Sequence, residues 1–177
     1  MTGRTRDAEA RDHAAVLALN NGATPHVNAL SAEPFGWLVH HAEWFRVWED
    51  AAGIGGFALV LRSGLDYWSE NYKWFAARHA SFLYLDRIVV AERARGRGVG
   101  RALYDDLAAF AAGRWPRITI EVNLRPPNPG SVAFHERIGF QRVGVREEPE
   151  HDYAVLMMER AVPPATAFRS PTAGTRP

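Results

Sequence analysis

The sequence predicts one α/β (α+β) domain with a mixed central sheet and helices on both faces. Helical and strand periodicities follow one another in the order ααββ, an irregular insertion, β–loop–α, β–turn–α and ββ. That order is typical of layered structures in which helices cover a sheet. The chain has 177 residues, of which 47% are hydrophobic, and this is enough for one compact core.

The first half of the chain predicts two helices followed by a strand pair. We expect residues 1–11, which are polar, to fray. Helical spacing begins at Asp12 and ends at Asn20–Gly22, and Ser31 stands where it can cap a second helix. The stretches "WFRVWED" and "GIGGFALVLRS" alternate as strands do, so we expect a turn around Ala51 to Gly53.

The second half predicts two strand–turn–helix units and two closing strands. The run "SFLYLDRIVV" is rich in β-branched and aromatic residues and predicts a strand from Phe82 to Val90. A helix follows to about Ala112. The stretch "RITIEVN" predicts the next strand, and Asn128 and Pro129 suit the start of a short helix. The stretches "FQRVGVREE" and "YAVLMMER" predict a final antiparallel pair.

Composition limits the function classes. The net charge is +1 and cysteine is absent, which argues against nucleic-acid binding, disulfides and thiolate metal sites. No apolar run approaches the roughly 20 residues of a membrane span, and the N-terminal residues lack a secretory pattern. We therefore expect a cytoplasmic protein with no membrane association, whose single domain covers residues 1–162. Residues 163–177 include four prolines and predict a disordered tail.

The stretch "ERARGRGVGRAL" has three glycines at every second position, Gly96, Gly98 and Gly100. This spacing matches neither the Walker A pattern nor the dinucleotide-binding pattern. The order strand, glycine turn, helix start nevertheless brings free backbone N–H groups and the positive end of a helix together, which favours an anion. The alternative is a tight connector that carries exposed arginines.

Two motifs together resemble the GNAT acetyltransferase superfamily. Val90 to Leu103 is similar to the family pattern [Q/R]-x-x-G-x-[G/A], with Arg95, Gly98 and Gly100 in its core positions. "NPGSVAFHERIGF", residues 128–140, is similar to the family's second signature, N-x-x-[A/S]-x-x-x-[Y/H]-x-x-x-G-F. The resemblance is strong over residues 82–145 and extends over residues 12–160 by element order.

The resemblance implies an acetyl-CoA site between two central parallel strands that splay apart within a mostly antiparallel sheet. Ile88, Val89 and Val90 would offer backbone bonds to the pantetheine arm, and Asn128 would contact it from the other side. No metal is implied, and the close histidines of "HHAE" do not form a metal-binding pattern. The pyrophosphate of coenzyme A would be wrapped by the loop residues Arg95, Gly96, Arg97, Gly98, Val99, Gly100 and Arg101.

Glu121 is the predicted general base. It lies in the strand "ITIEVN" and matches the glutamate of the ribosomal-protein N-terminal acetyltransferases that the chain resembles. Asn128 follows it seven positions later, where the spacing in that subfamily is about five. We expect the extra "PP" to lie in the turn. The alternatives are a solvent-facing or arginine-paired strand glutamate. Asp86 is a second candidate, for which an ion pair with a neighbouring arginine is the favoured interpretation.

His135 occupies the position where most of the family has tyrosine. A histidine of pKa near 6.5 is only about one quarter protonated at pH 7, but a neutral imidazole can still donate one N–H. Some small-molecule acetyltransferases of the superfamily are similar at this position. We therefore expect His135 to be the hydrogen-bond donor or acid near the leaving thiolate. The alternative is a packed helix residue, with the acid supplied by Tyr72, Tyr84 or Tyr153.

The acceptor is predicted only as an amine, on a small molecule or a peptide. The insertion at residues 63–81 is rich in aromatic residues, which would suit an apolar, aromatic or cationic acceptor. It could equally be a lid packed on the core or a homodimer contact. A CoA-binding regulatory or structural protein without turnover stays open as an alternative function. The aromatic residues concerned are Tyr67, Trp68, Tyr72, Trp74 and Phe75.

Overall fold

A computed structural model describes residues 3–25 and 27–164, and within these ranges the chain forms one seven-stranded sheet and five α-helices. The strand order is β1-β2-β3-β4-β5-β7-β6, and every neighbouring pair is antiparallel except β4–β5. The strands are β1 Arg4–Asp7, β2 Ala42–Asp50, β3 Gly53–Arg62, β4 Leu83–Val90, β5 Arg117–Arg125, β6 Gln141–Glu148 and β7 Tyr153–Ala161. The helices are α1 His13–Asn21, α2 Ala32–His41, α3 Glu70–Ala76, α4 Val99–Ala111 and α5 Pro129–Arg137.

The parallel pair separates soon after it starts. Strands β4 and β5 are in register only at Leu83–Ile118 and Tyr84–Thr119, although β4 continues to Val90 and β5 to Arg125. The buried Thr119 hydroxyl donates to the Leu83 carbonyl at 3.1 Å and holds the strands together where they meet. Beyond this point the two strands diverge, which leaves a gap in the middle of the sheet. The splayed parallel pair predicted from sequence is therefore confirmed.

Hydrophobic clusters cover both faces of the sheet, as the element order predicts. Strand β3 shows why, because its side chains alternate between the faces. Ala58 and Val60 pack with Leu103 and Leu107 of α4, whereas Leu59 packs with residues of α2 and α3 on the other side. A third cluster lies beneath α1 and α2. Within the described ranges, no helix is long and apolar enough to cross a membrane.

Residues Arg4–Asp7 form an edge strand, so the expectation that residues 1–11 fray is wrong for the part of that stretch that the structure describes. Strand β1 pairs with β2 along its whole length. The Arg6 guanidinium donates to the Asp12 carboxylate at 2.6 and 2.9 Å and lies 2.8 Å from Glu49. These charge-assisted bonds hold a polar strand that has few apolar contacts to hold it. The burial of such pairs cannot be predicted from local polarity.

The helix caps are as predicted only in part. The Asn128 carboxamide accepts a hydrogen bond from the Ser131 N–H at 3.2 Å, and Pro129 opens α5. Ser31 precedes α2, but its side chain makes no capping bond. The predicted disordered tail lies outside the described residues from position 165 onward.

Candidate active site

The gap between β4 and β5 opens into a cavity of about 560 Å³. Its walls come from both splayed strands, from α3 and the segment before it, and from the start of α5. The two predicted catalytic residues, Glu121 and His135, both line it, and so do Ile88 and Asn128. The splay thus brings together side chains from distant parts of the sequence. No group of three or more His, Asp or Glu residues in the described ranges is placed to hold a metal ion.

Glu121 faces this cavity from β5. Its Oε1 accepts a hydrogen bond from the Asn71 amide at 3.1 Å, whereas its Oε2 is buried and has no hydrogen-bond partner. Burial, and after it the negative charge of Asp86, raises the pKa of Glu121 to about 7 against the opposing effect of hydrogen bonds from Tyr84 and Asn71. The carboxyl is therefore close to half ionised at neutral pH. A buried acceptor without a donor calls for a ligand that supplies one.

Asp86 lies next to this carboxyl on β4 but is fully engaged. Its Oδ2 accepts from the Tyr67 hydroxyl at 2.7 Å, and its Oδ1 pairs with Arg87 at 3.0 Å. The ion pair favoured from sequence is thus confirmed. Asp86 acts on the site through its charge, which raises the pKa of Glu121 and, after burial, that of Tyr67.

His135 is 5% exposed, and both its ring nitrogens are engaged. Nδ1 lies 2.8 Å from the Ser131 carbonyl and Nε2 lies 2.6 Å from the Tyr104 hydroxyl. Burial lowers the pKa of His135 to about 4, although the Ser131 carbonyl opposes this effect. The imidazole is therefore neutral at pH 7. The structure brings His135 to the cavity, with Nδ1 facing a backbone carbonyl and Nε2 facing the Tyr104 hydroxyl.

The glycine loop lies at the start of α4, next to the splay. Gly96 and Gly98 have φ of 72° and 80°, in the left-handed region that favours glycine, and the space that a Cβ would occupy at either position is open to at least 4 Å from the rest of the described chain. Helix α4 begins without a side-chain cap, so the N–H groups of its first turn lack helical partners. Uncapped N–H groups beside open space fit a pyrophosphate. The loop residues do not line the cavity itself.

The arginines of the loop are tied to carboxylates and backbone of the protein. Arg97 pairs with Asp50 at 2.9 Å, and Arg101 pairs with Asp105 at 2.8 Å. Arg95 donates from Nε to the Val90 carbonyl at 3.3 Å. These contacts shape the loop while leaving its backbone accessible. We therefore expect main-chain N–H groups to be the principal contacts to a bound phosphate.

Strand β4 offers its backbone along one edge. Ile88, Val89 and Val90 pair with β3 on one side, while the other edge has no strand partner beyond Tyr84 in the described chain. The Val89 side chain is buried in the core, so its backbone is the part that a ligand can reach. Asn128 lines the cavity and caps α5 with the same side chain.

The aromatic insertion is divided between cavity and core. Tyr67 and Trp68 line the cavity, and so does Asn71. Tyr72 and Phe75 are buried in the core below. One part of the insertion thus packs on the core, and another part faces the cavity. Sequence reasoning missed Asn71 and Tyr104, because an amide in an irregular segment and a tyrosine on the apolar face of a helix give no catalytic signal.

Comparisons with known proteins agree with this geometry. The model of the acetyltransferase (GNAT) family matches residues 13–140. The ribosomal-protein-S18-alanine N-acetyltransferase of Escherichia coli has a similar structure, with a TM-score of 0.72 at 16% identity, covering 96% of this chain and 99% of that one. A phosphinothricin acetyltransferase of Sinorhizobium meliloti, solved with AcCoA, has a TM-score of 0.66 at 21% identity, covering 100% and 97% of the two chains.

One curated relative matches a shorter region. The N-alpha-acetyltransferase RimI of Mycobacterium tuberculosis is 38% identical over 52 residues, which cover 29% of this chain and 30% of that protein. This match is too short to carry an activity across, and the structural similarities show the fold. The family model, by contrast, spans well over half of the chain, and the splayed pair, glycine loop and capped α5 are where the two motifs predict them. The chain belongs to the GNAT acetyltransferase family.

Proposed function

We propose that the protein is an N-acetyltransferase that moves an acetyl group from acetyl-CoA to an amine. The observation that carries this proposal is Glu121, whose Oε2 is buried without a partner at the cavity between the splayed strands. A substrate ammonium would supply the missing donor. The carboxylate could then take its proton, as a general base does.

The pKa of Glu121 suits this task. At about 7, it lies roughly one unit below an α-amino group, so proton transfer from that group is uphill by only about 1 kcal/mol. Transfer from a lysine side chain of pKa near 10.4 is uphill by about 4.6 kcal/mol. We therefore expect acceptors of lower amine pKa to react best. A carboxylate with an unshifted pKa would be a weaker base by more than two units.

The acyl donor would lie across the splay. The uncapped start of α4 and the backbone of Gly96 and Gly98 would bind its pyrophosphate, and the free edge of β4 would bind its amide groups. Bound acetyl-CoA would supply a thioester whose carbonyl carbon is open to attack. The residues that line the cavity would orient that carbon toward Glu121.

The acceptor would approach from the part of the cavity that the insertion lines. Carboxylates face this part from Glu121, Asp86 and Glu148, and aromatic rings face it from Tyr67 and Trp68. The two cavity arginines are paired with protein groups, Arg87 with Asp86 and Arg146 with Asn71 and Glu148. Because these pairs offset the charges of Asp86 and Glu148, the Glu121 carboxylate and the aromatic rings are the groups that favour a cationic amine, whether on a small molecule or on a peptide.

The test measures binding and transfer separately. Calorimetry with CoA, and release of free thiol from acetyl-CoA in the presence of peptides, amino acids and polyamines, should both give a signal. Glu121→Gln should lower kcat/KM by about 10²- to 10⁴-fold and leave the CoA Kd within about twofold, because the loop is unchanged. Glu33→Gln, an exposed glutamate of α2, is the matched control and should behave as the wild type.

Two outcomes would overturn the proposal. If millimolar CoA and acetyl-CoA neither bind nor raise the melting temperature, the donor site is wrong. If CoA binds but no amine of the panel is acetylated, the alternative of a CoA-binding protein without turnover gains support.

A further inference from the structure

We propose that Tyr104 is the catalytic hydroxyl that donates a hydrogen bond to the leaving thiolate, and that His135 is a positioning residue that holds it. The inference rests on the proposed acetyl transfer and deepens it. Its basis is a pair of side chains on α4 and α5 that meet at the cavity, although they are 31 positions apart in the chain.

The pair is buried and tightly held. Tyr104 is 1% exposed and lines the cavity, and its hydroxyl lies 2.6 Å from His135 Nε2. Its ring packs edge-on against His135 and Phe140, with centroids 5.3 and 5.6 Å apart, and is tilted against Phe134 at 5.8 Å. Helix α4 links this hydroxyl to the glycine loop, because Val99 starts the helix and Tyr104 follows about one and a half turns later.

The direction of the hydrogen bond follows from the second ring nitrogen. His135 Nδ1 lies 2.8 Å from the Ser131 carbonyl, which can only accept, so Nδ1 carries the proton of the neutral ring. Nε2 is then a bare acceptor. The Tyr104 hydroxyl must therefore donate its proton to Nε2, and the lone pairs of its oxygen remain available to accept. His135 therefore has no N–H left to donate to the sulfur of coenzyme A. The Tyr104 hydroxyl, by contrast, donates its proton to a neutral acceptor, the His135 ring.

A neutral partner makes this proton available at the right moment. Hydrogen bonds to ionised groups are roughly twice as strong as those between neutral groups. The Tyr104 hydroxyl should therefore keep its hydrogen bond to His135 until negative charge develops on the sulfur. It should then donate to the sulfur, which has become the stronger acceptor. An interaction that forms only as charge develops lowers the barrier without tightening ground-state binding.

The other tyrosine hydroxyls at the cavity contact different groups. Tyr67 donates its single proton to the Asp86 carboxylate at 2.7 Å. Tyr84 donates to Glu121, whereas Tyr153 accepts from the Asn71 amide at 3.2 Å, a bond that does not use its own proton. The charged groups that act on Tyr104 are Arg160 and Glu121, and its hydrogen bond within the described ranges is to His135 alone.

The transfer balances with these residues. The acceptor ammonium gives one proton to Glu121, which passes it to solvent. The amine nitrogen then forms a C–N bond with the acyl carbon, the C–S bond breaks, and its electron pair remains on sulfur. The second N–H proton moves from nitrogen to sulfur, so that the products are an amide and a thiol. Tyr104 stabilises the sulfur charge by its hydrogen bond and keeps its own proton, since burial raises its pKa well above the ordinary value.

The experiment compares CoA with desulfo-CoA, which lacks the sulfur, by calorimetry at pH 6.5 and pH 9.5. A thiol of pKa near 8.5 is mostly ionised at the higher pH. The wild type should then favour CoA by about tenfold, with little preference at pH 6.5. Tyr104→Phe should lose the preference at pH 9.5 and lower kcat by about ten- to a hundredfold. Tyr72→Phe is the matched control, because that equally buried hydroxyl donates to the Arg62 carbonyl, away from the cavity.

Two further variants keep the proposal testable. Tyr104→Phe leaves His135 Nε2 buried without a donor and could unfold the protein; Tyr104→Phe combined with His135→Leu removes both groups and should show the same loss of preference. His135→Leu alone keeps the Tyr104 hydroxyl but no longer holds it, so the preference at pH 9.5 should weaken by about two- to threefold and not disappear. If His135 itself were the donor, this variant would lose the preference completely.

The outcomes separate this inference from the proposed function. A wild type that binds neither CoA nor desulfo-CoA overturns both. A wild type that binds CoA and acetylates an amine, but whose preference for CoA is absent or is unchanged by Tyr104→Phe, overturns only the role of Tyr104.

Discussion

The glycine loop and the cavity use different parts of the chain: main-chain groups in the loop and side chains in the cavity. At the glycine loop, binding depends on backbone: Gly96 and Gly98 adopt positive φ, the first turn of α4 is uncapped, and the arginine side chains are tied to carboxylates and a carbonyl. At the cavity, chemistry depends on buried side chains, whose ionisation burial has shifted. Glu121 is held partly neutral and His135 fully neutral at pH 7.

This difference indicates which of the two regions makes the stability of the protein depend on pH. Groups shifted by burial couple protonation to folding, whereas a loop built from glycine backbone does not. Variants of the cavity should therefore change how stability depends on pH. Variants of the loop should change donor affinity without such an effect.

The largest expected effect is on His135. Its folded pKa of about 4 lies below the 6.5 of an unfolded histidine, so the unfolded chain binds the extra proton between these values. Wild-type stability should fall by about 3 kcal/mol from this group as pH drops from 6.5 to 4. His135→Leu should remove that contribution. Denaturant unfolding of both proteins across this range measures the difference, and parallel curves would contradict the assignment.

Glu121 should show the opposite slope. Its folded pKa of about 7 exceeds the 4.5 of the unfolded group, so the folded protein holds the extra proton, and stability falls as pH rises from 4.5 to 7. Glu121→Gln should therefore be more stable than the wild type by about 3 kcal/mol at pH 8, with that advantage absent at pH 4. The same variant should also have the lowest kcat/KM, because the carboxyl whose raised pKa lowers the stability of the folded protein is the proposed general base.

Wild-type unfolding alone will not reveal either group, because the two slopes oppose each other between about pH 4.5 and 6.5. Each variant should expose the slope of the other residue. Glu33→Gln serves as the control for the glutamate, since this exposed side chain should leave the pH dependence unchanged. A Glu121→Gln variant that is less stable than the wild type at pH 8 would mean that burial does not destabilise the ionised carboxylate.

The same difference explains what the sequence could predict. The loop is a local feature, so the spacing of Gly96, Gly98 and Gly100 indicated it once the second motif at residues 128–140 was read with it. The strand that carries Glu121 was also predicted, from the stretch "RITIEVN", and the helix that carries His135 was predicted from the second motif. The hydrogen bond between Tyr104 and His135 was not, since it joins two helices whose packing depends on the whole core. Strand β1 was missed for a related reason, because its stability comes from ion pairs with Asp12 and Glu49.

Gly98→Ala should test the loop. Gly98 has φ of 80° with open space where a Cβ would lie, so alanine adds backbone strain of about 1 kcal/mol. We expect CoA affinity to fall about tenfold, because relief of the strain moves N–H groups away from the phosphate. Gly64→Ala is the matched control: its φ is 85°, with equally open surroundings. It should lose the same stability but keep CoA affinity, and equal affinity losses in both variants would show that strain alone is responsible.

Trp68→Ala should have the smallest effect and should act only on the acceptor. Trp68 is 51% exposed, lines the cavity, and meets Tyr67 and Trp37 at ring distances of 4.7 and 4.8 Å. The KM for the acceptor amine should rise about three- to tenfold, with the acetyl-CoA KM unchanged and stability altered by less than about 1 kcal/mol. Val145→Ala, an exposed apolar residue of β6, controls for loss of surface. A rise in the acetyl-CoA KM instead would place Trp68 beside the donor, and the aromatic insertion would then belong to the same end of the site as the glycine loop.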